Sequence, residues 1–174
     1  MIFVTVGTQL PFDRLIKAID DWAARNNRND VFAQIGPERA YRPRHIQFAH
    51  FIAAPECRRW VERADIIVSH AGMGTIISAL ELGKPLIVMP RRCELHEHRN
   101  DHQVATVERL GTRATVRVAN DAASLVQGLD EMTRWKAGRP ITKTASPQLL
   151  NAIRLFVNNR GSELPVGEQI LATE

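Results

Sequence analysis

Apolar residues along this chain follow two alternating patterns. Short, mostly apolar runs, several rich in β-branched residues, occur at 2–6, 31–35, 46–52, 65–69, 85–89 and 114–118. Such runs fit strands buried on both faces. Elsewhere apolar positions recur at helical spacing. Phe12, Leu15, Ile16, Ile19, Trp22 and Ala23 share one face after Pro11, and Cys57, Trp60 and Val61 follow Pro55. Further helices are expected from the 72–74 turn to about Leu82, from about Asp101 to Leu110 with Gly111 as the stop, from an Asn120 or Asp121 cap to about Arg134, and over 147–157. Residues 38–45 read as exposed loop. Strands alternating with helices predict an α/β fold: a Rossmann-like parallel sheet of about six strands with helices on both faces. No internal repeat interrupts it. One domain over 1–158 is expected, followed by a loose tail, 159–174.

Composition narrows the class. With 174 residues, 44% of them hydrophobic, the chain suits one globular domain with a substantial core. No apolar run reaches the ~18 residues of a membrane-spanning helix, and the first residues lack the basic region of a signal peptide. These features predict a cytoplasmic protein. Cys57 and Cys93 are the only cysteines and make no disulfide framework. The net charge of +4 fits an anionic small ligand or an anionic membrane surface at least as well as nucleic acid. No interleaved aromatic and basic pattern argues for RNA or DNA.

In a parallel α/β sheet, ligands bind beyond the carboxyl ends of the strands. Three segments converge there: Gly7-Thr8-Gln9 after the first strand, His70-Ala71-Gly72-Met73-Gly74-Thr75 after the fourth, and the charged stretch 90–103 after the fifth. A glycine turn opening a helix lets an anion approach N–H groups and the positive end of the helix dipole. Taken singly, each segment has a plainer reading. Gly7-Thr8 also suits an ordinary turn, and Gly72 and Gly74 also suit close packing of helix on strand. The dinucleotide fingerprint lacks its third glycine and its acidic residue, which argues against hydride transfer. His96, His98 and His102 lack the spacing of a structural metal site. Arg91, Arg92 and Arg99 fit either a solvated basic face or an anion site.

In combination, Val4-Thr5-Val6-Gly7-Thr8, the 69–75 turn, Ala79-Leu80-Glu81-Leu82-Gly83-Lys84-Pro85 with the following strand, and Asn100-Asp101-His102-Gln103 resemble the C-terminal, donor-binding domain of glycosyltransferase family 28. The resemblance covers roughly residues 2–135. It is nearest to short, separately encoded donor subunits of split enzymes: those acting on dolichol-linked sugar and the bacterial capsule and exopolysaccharide homologues. It implies one half of a GT-B fold and an inverting transfer from a UDP-sugar to a lipid-linked saccharide, with no metal and no other cofactor. Gly7, Thr8, His70, Ala71, Gly72, Met73, Gly74 and Thr75 would hold the diphosphate. Asp101, His102 and Gln103 would read sugar hydroxyls, Arg91 and Arg92 would meet further donor charge, and His98 or His102 would serve as base. Many relatives carry a ribose-binding glutamate at the position of Ser78, and Glu81 is the nearest acid here. The implied partner is a membrane-anchored, acceptor-binding subunit at the inner membrane face. The alternative is a non-catalytic nucleotide-sugar-binding partner or regulator that keeps the fold.

Overall fold

The computed structural model describes residues 1–37, 41–110, 115–131, 134, 137–141 and 144–158. Gly111, Ala114 and the 159–174 tail lie outside them. Strands β1 (Ile2–Thr5), β2 (Val31–Gln34), β3 (Gln47–Ala49), β4 (Ile66–His70), β5 (Leu86–Met89) and β6 (Val116–Val118) form one sheet in the order β3-β2-β1-β4-β5-β6. Every pairing is parallel. Helices α1 (Asp13–Arg25), α2 (Ala54–Arg63), α3 (Met73–Glu81) and α4 (His102–Leu110) connect strands, α5 (Ala122–Asp130) follows β6, and a short 3-10 turn, Cys93–Leu95, precedes α4. The expected Rossmann-like sheet with helices on both faces is the fold observed.

The pleat sorts the core into two layers. Ile2 and Val4 of β1 pack with Leu15, Ile19 and Trp22 of α1 and Leu125 of α5, whereas Phe3 between them joins Val61, Ile76 and Leu80 on the other face. Both faces are covered, so β1 and β5 are buried throughout and read as continuous apolar runs. Asp121 caps α5 through a reciprocal capping box with Ser124.

One connection departs from the alternation. β3 has three residues, shorter than the 46–52 run, and among the described residues no helix joins β2 to it. Instead residues 41–45 lie against α1, pinned by Asp20. This carboxylate is 1% exposed and accepts from the Tyr41 hydroxyl (3.0 Å) and the backbone N–H groups of Arg44 (2.9 Å) and His45 (2.7 Å). Burial pushes its pKa up, but the three hydrogen bonds outweigh that and hold it below the usual carboxylate value.

Met1–Ile141 make one compact unit and Thr142–Glu174 a second. The second contributes α6 (Pro147–Asn158), whose start is set by Pro147 and by the Ser146 hydroxyl, which accepts from Leu149 N at 3.2 Å.

Candidate functional site

Chain order reverses between β1 and β4: from β1 the chain moves outward to β2 and β3, then returns to β4 on the other side. Beyond the carboxyl ends of such neighbouring strands a crevice opens, and ligands of open α/β sheets bind there. Gly7 follows β1, and Gly72 follows β4.

The two glycines face one imidazole. A Cβ on Gly7 would stand 2.7 Å from His70 Cε1, and one on Gly72 only 2.2 Å from His70 Nε2. Gly7 also has φ +76°, which glycine adopts at little cost. Its turn is fixed from below. Gly7 N donates to Thr5 Oγ1 (3.1 Å), and Gln34 Nε2 donates to Gly7 O (2.9 Å). Both side chains are buried at strand ends.

His70 sits in this cleft as a neutral ring. Burial lowers its pKa to about 4, the Arg91 charge and His98 push the same way, and only the neighbouring Thr5 carbonyl opposes them. Its Nδ1 is buried without a hydrogen bond of good geometry.

α3 starts directly above. Gly72 N donates to His70 O (2.8 Å), and Ile76 N makes the first helical bond, to Gly72 O. No side chain caps the helix, and its first turn carries no acid. The N–H groups of Met73, Gly74 and Thr75 therefore have no partner among the described residues and project at the positive end of the helix. A Cβ on Gly74 would meet nothing within 4 Å, so open space lies over this turn. Thr8 is exposed beside it and Ala71 is buried beneath.

The 90–103 segment supplies the third wall, and here the structure revises the sequence reading. Arg91 is 2% exposed, not on a solvated face. Its guanidinium donates to the carbonyls of Val6 and Leu10, 5.2 Å from the Phe12 ring centroid, and so ties the segment after β5 to the turn after β1. Burial pulls its pKa down, against the pull of Glu97. Arg92 Nη1 pairs with Glu94 (3.0 Å). Gln103 is buried and its Oε1 accepts from Arg91 N (3.1 Å), leaving Nε2 to donate. Asp101 Oδ1 accepts from Cys93 N (2.8 Å) and fixes the 3-10 turn. The rings of His98 and His102 meet edge to face, with centroids 4.5 Å apart. His102 Nδ1 contacts Asn100 Oδ1, and His98 Nδ1 accepts from Asn100 N (3.4 Å).

Glu81 is not brought to the site. α3 runs antiparallel to the strands, so its end lies about 12 Å along the axis from its start. There the next residues return to the beginning of β4, where Lys84 Nζ donates to the carbonyls of Glu62 and Ala64. Ser78, nearer the turn, donates its hydroxyl to Gly74 O (2.9 Å).

Sequence reading missed Arg14. In the first turn of α1, it forms a two-pronged pair with Glu97 (2.7 and 2.8 Å) and donates to the carbonyls of Pro90 and Asn120. Glu97 in turn accepts from Arg92 N (3.0 Å). The available signal was charge alone: an acid within a basic loop and a base at the ligand end of α1. No group of three or more His, Cys, Asp or Glu among the described residues is arranged to hold a metal ion.

Comparison with known proteins agrees with this architecture. Residues 1–154 match the glycosyltransferase family 28 C-terminal domain, and the chain belongs to that family. It is similar to the UDP-N-acetylglucosamine transferase subunit ALG13 of Yarrowia lipolytica, with 24% identity over 72% of this chain and 67% of that protein. The ALG13 of Candida albicans shares 39% over a 51-residue stretch, and there this chain spans 17% of the relative. Among solved structures, the NMR structure of ALG13 superposes with a TM-score of 0.56 at 18% identity, covering 87% of this chain and 93% of that one. The glycotransferase of kitacinnamycin gives 0.54 at 19% identity over 90% of this chain, which spans 38% of that enzyme. The fold is that of one half of a GT-B glycosyltransferase.

Proposed function

We propose that this protein is the donor-binding, catalytic subunit of a heteromeric inverting glycosyltransferase that takes a sugar from a UDP-sugar. The observation that carries the reading is the α3 turn: three unpartnered N–H groups at a helix start, opposite a glycine turn, at the reversal point of a family 28 sheet. The diphosphate lies across Met73, Gly74 and Thr75 with Gly7 and Thr8 facing it. His70, uncharged at neutral pH, donates one N–H to a phosphate oxygen. Gln103 Nε2 donates to a sugar hydroxyl.

In the transfer, an acceptor hydroxyl attacks the anomeric carbon as the bond to the diphosphate oxygen breaks. The charge growing on the diphosphate falls on the turn N–H groups and the helix dipole, which need no reorganisation and no metal. The hydroxyl proton goes to His102 Nε2. Asn100 Oδ1 only accepts, so it keeps the His102 proton on Nδ1 and leaves the Nε2 lone pair open. His98 stands edge-on to that ring. The acceptor is a lipid-linked saccharide held by a membrane-anchored partner subunit at the inner membrane face, as the similarity to relatives named transferase subunits suggests. The test is sugar transfer by the chain co-expressed with its partner. His102→Ala and Gln103→Ala are expected to abolish most transfer while both variants stay folded. Undiminished transfer would remove these roles.

A second reading, a nucleotide-sugar-binding partner without catalysis, draws on Ser78, whose hydroxyl is turned onto Gly74 O, and on the remote Glu81. Transfer that disappears in Gln103→Ala would exclude it.

A further inference from the structure

Away from the donor turn, the segment between β2 and β3 forms a second, separately built feature. A depression of about 490 Å³ opens between α1 and residues 41–45. Its lining carries Lys17, Arg42, Arg44 and His45, with Tyr41 between them, and one exposed carboxylate, Asp21. Asp20, the carboxylate beneath, is buried and saturated by its three donors. Burying a charge on a helix is unfavourable unless it is fully compensated. Here the compensation comes from one segment, and its effect is to hold Arg44 and His45 at fixed backbone positions. Asp13 Oδ1, at the first residue of α1, holds Tyr41 N in the same way (2.8 Å).

The cations presented are left open. Arg42 and Arg44 have no carboxylate within ion-pair distance among the described residues. Arg42 lies over the Phe48 ring, 5.8 Å from its centroid, and Lys17 over the Tyr41 ring at 5.9 Å. A cation resting on an aromatic face keeps its N–H donors for another acceptor. Lys17 is also 3.4 Å from Asp21, an exposed i,i+4 pair that adds little. Two fork-shaped guanidinium groups and an ammonium around one open depression match a tetrahedral oxyanion.

We propose that this depression is a second anion site, which binds the phosphate group of a phosphomonoester or phosphodiester and is distinct from the donor turn. The phosphate comes either from a soluble molecule or from an anionic lipid headgroup.

The test uses the full chain. Pyrophosphate and inorganic phosphate are titrated calorimetrically into Gly74→Asp protein, whose donor turn is blocked by its own carboxylate. Co-sedimentation with phosphatidylcholine vesicles, with and without phosphatidylglycerol, reads the lipid source. Arg42→Ala/Arg44→Ala is expected to weaken one of these by at least about tenfold, as removal of two charge-assisted donors should. The probe that responds identifies the source. Arg42→Lys/Arg44→Lys keeps the charge but loses the forks, and should fall between. Arg58→Ala/Arg59→Ala on α2 makes the same change in net charge and should bind within about twofold of its parent. No binding of any probe, equal binding after Arg42→Ala/Arg44→Ala, or equal losses in the two alanine pairs would overturn the proposal.

Discussion

His70 is the residue on which the candidate site turns, because two glycines are required by its ring and its charge is suppressed by its surroundings. Its pKa of about 4 lies below the ordinary 6.5 of the unfolded chain. Between those values the unfolded state binds a proton that the folded state refuses. Stability from this group is therefore complete above about pH 6.5 and is lost as pH falls toward 4, on the order of 3 kcal/mol in all. His70→Gln keeps a neutral polar side chain but cannot titrate. Urea unfolding midpoints at several pH values should fall less steeply from 6.5 to 4 in this variant than in the parent. Parallel curves would show that His70 does not carry the shift. Arg91 acts at the same scale in the opposite sense, as a buried cation that serves two carbonyls. Arg91→Met strands the Val6 and Leu10 carbonyls and should lower unfolding free energy by about 2–4 kcal/mol, measured by urea denaturation.

Among the elements, α3 shows why its two N-terminal glycines are not equivalent. Gly72→Ala drives a methyl into the His70 ring and should destabilise by roughly 1–3 kcal/mol. Gly74→Ala meets nothing and replaces a poor helix former, so its melting temperature should equal or exceed the parent's. Equal losses in the two would contradict the close approach of Gly72 to His70. The sequence displayed this element clearly: Ile66-Ile67-Val68 ahead of a glycine turn and a helix ending at Gly83-Lys84-Pro85 is a local pattern, and local patterns set strands and helices. The segment after β5 was legible only as charge. Arg14 meets Glu97 across 83 residues of sequence, and Arg91 reaches back 85 to Val6. No periodicity encodes such pairings, so the sequence leaves Arg91 open between a solvated face and an anion site, whereas the fold buries it against two carbonyls. The β2–β3 connection was hidden for the same reason. Its order depends on Asp20, which lies on the otherwise apolar buried face of α1 and gives no sign of what it binds.

At the scale of the whole molecule, the family 28 sheet opens a crevice at its reversal point, and the chain spans 38% of the kitacinnamycin glycotransferase whose fold it shares. None of its described helices is long and apolar enough to cross a membrane. The proposed association with a membrane-anchored acceptor subunit predicts that the chain, expressed alone, fractionates away from membranes and moves to them when that partner is co-expressed. Fractionation followed by immunoblotting checks this, and an unchanged distribution would contradict the split arrangement. In the proposed function the α3 turn holds the diphosphate of a UDP-sugar. Calorimetric titration of UDP into the parent protein, Gly74→Ala and Gly74→Asp tests it most directly. The parent should bind, and Gly74→Asp should lose at least about tenfold, because it sets a carboxylate against the diphosphate in a protein that remains folded. Gly74→Ala should fall between them. Equal UDP affinity in all three, or none in the parent, would contradict it.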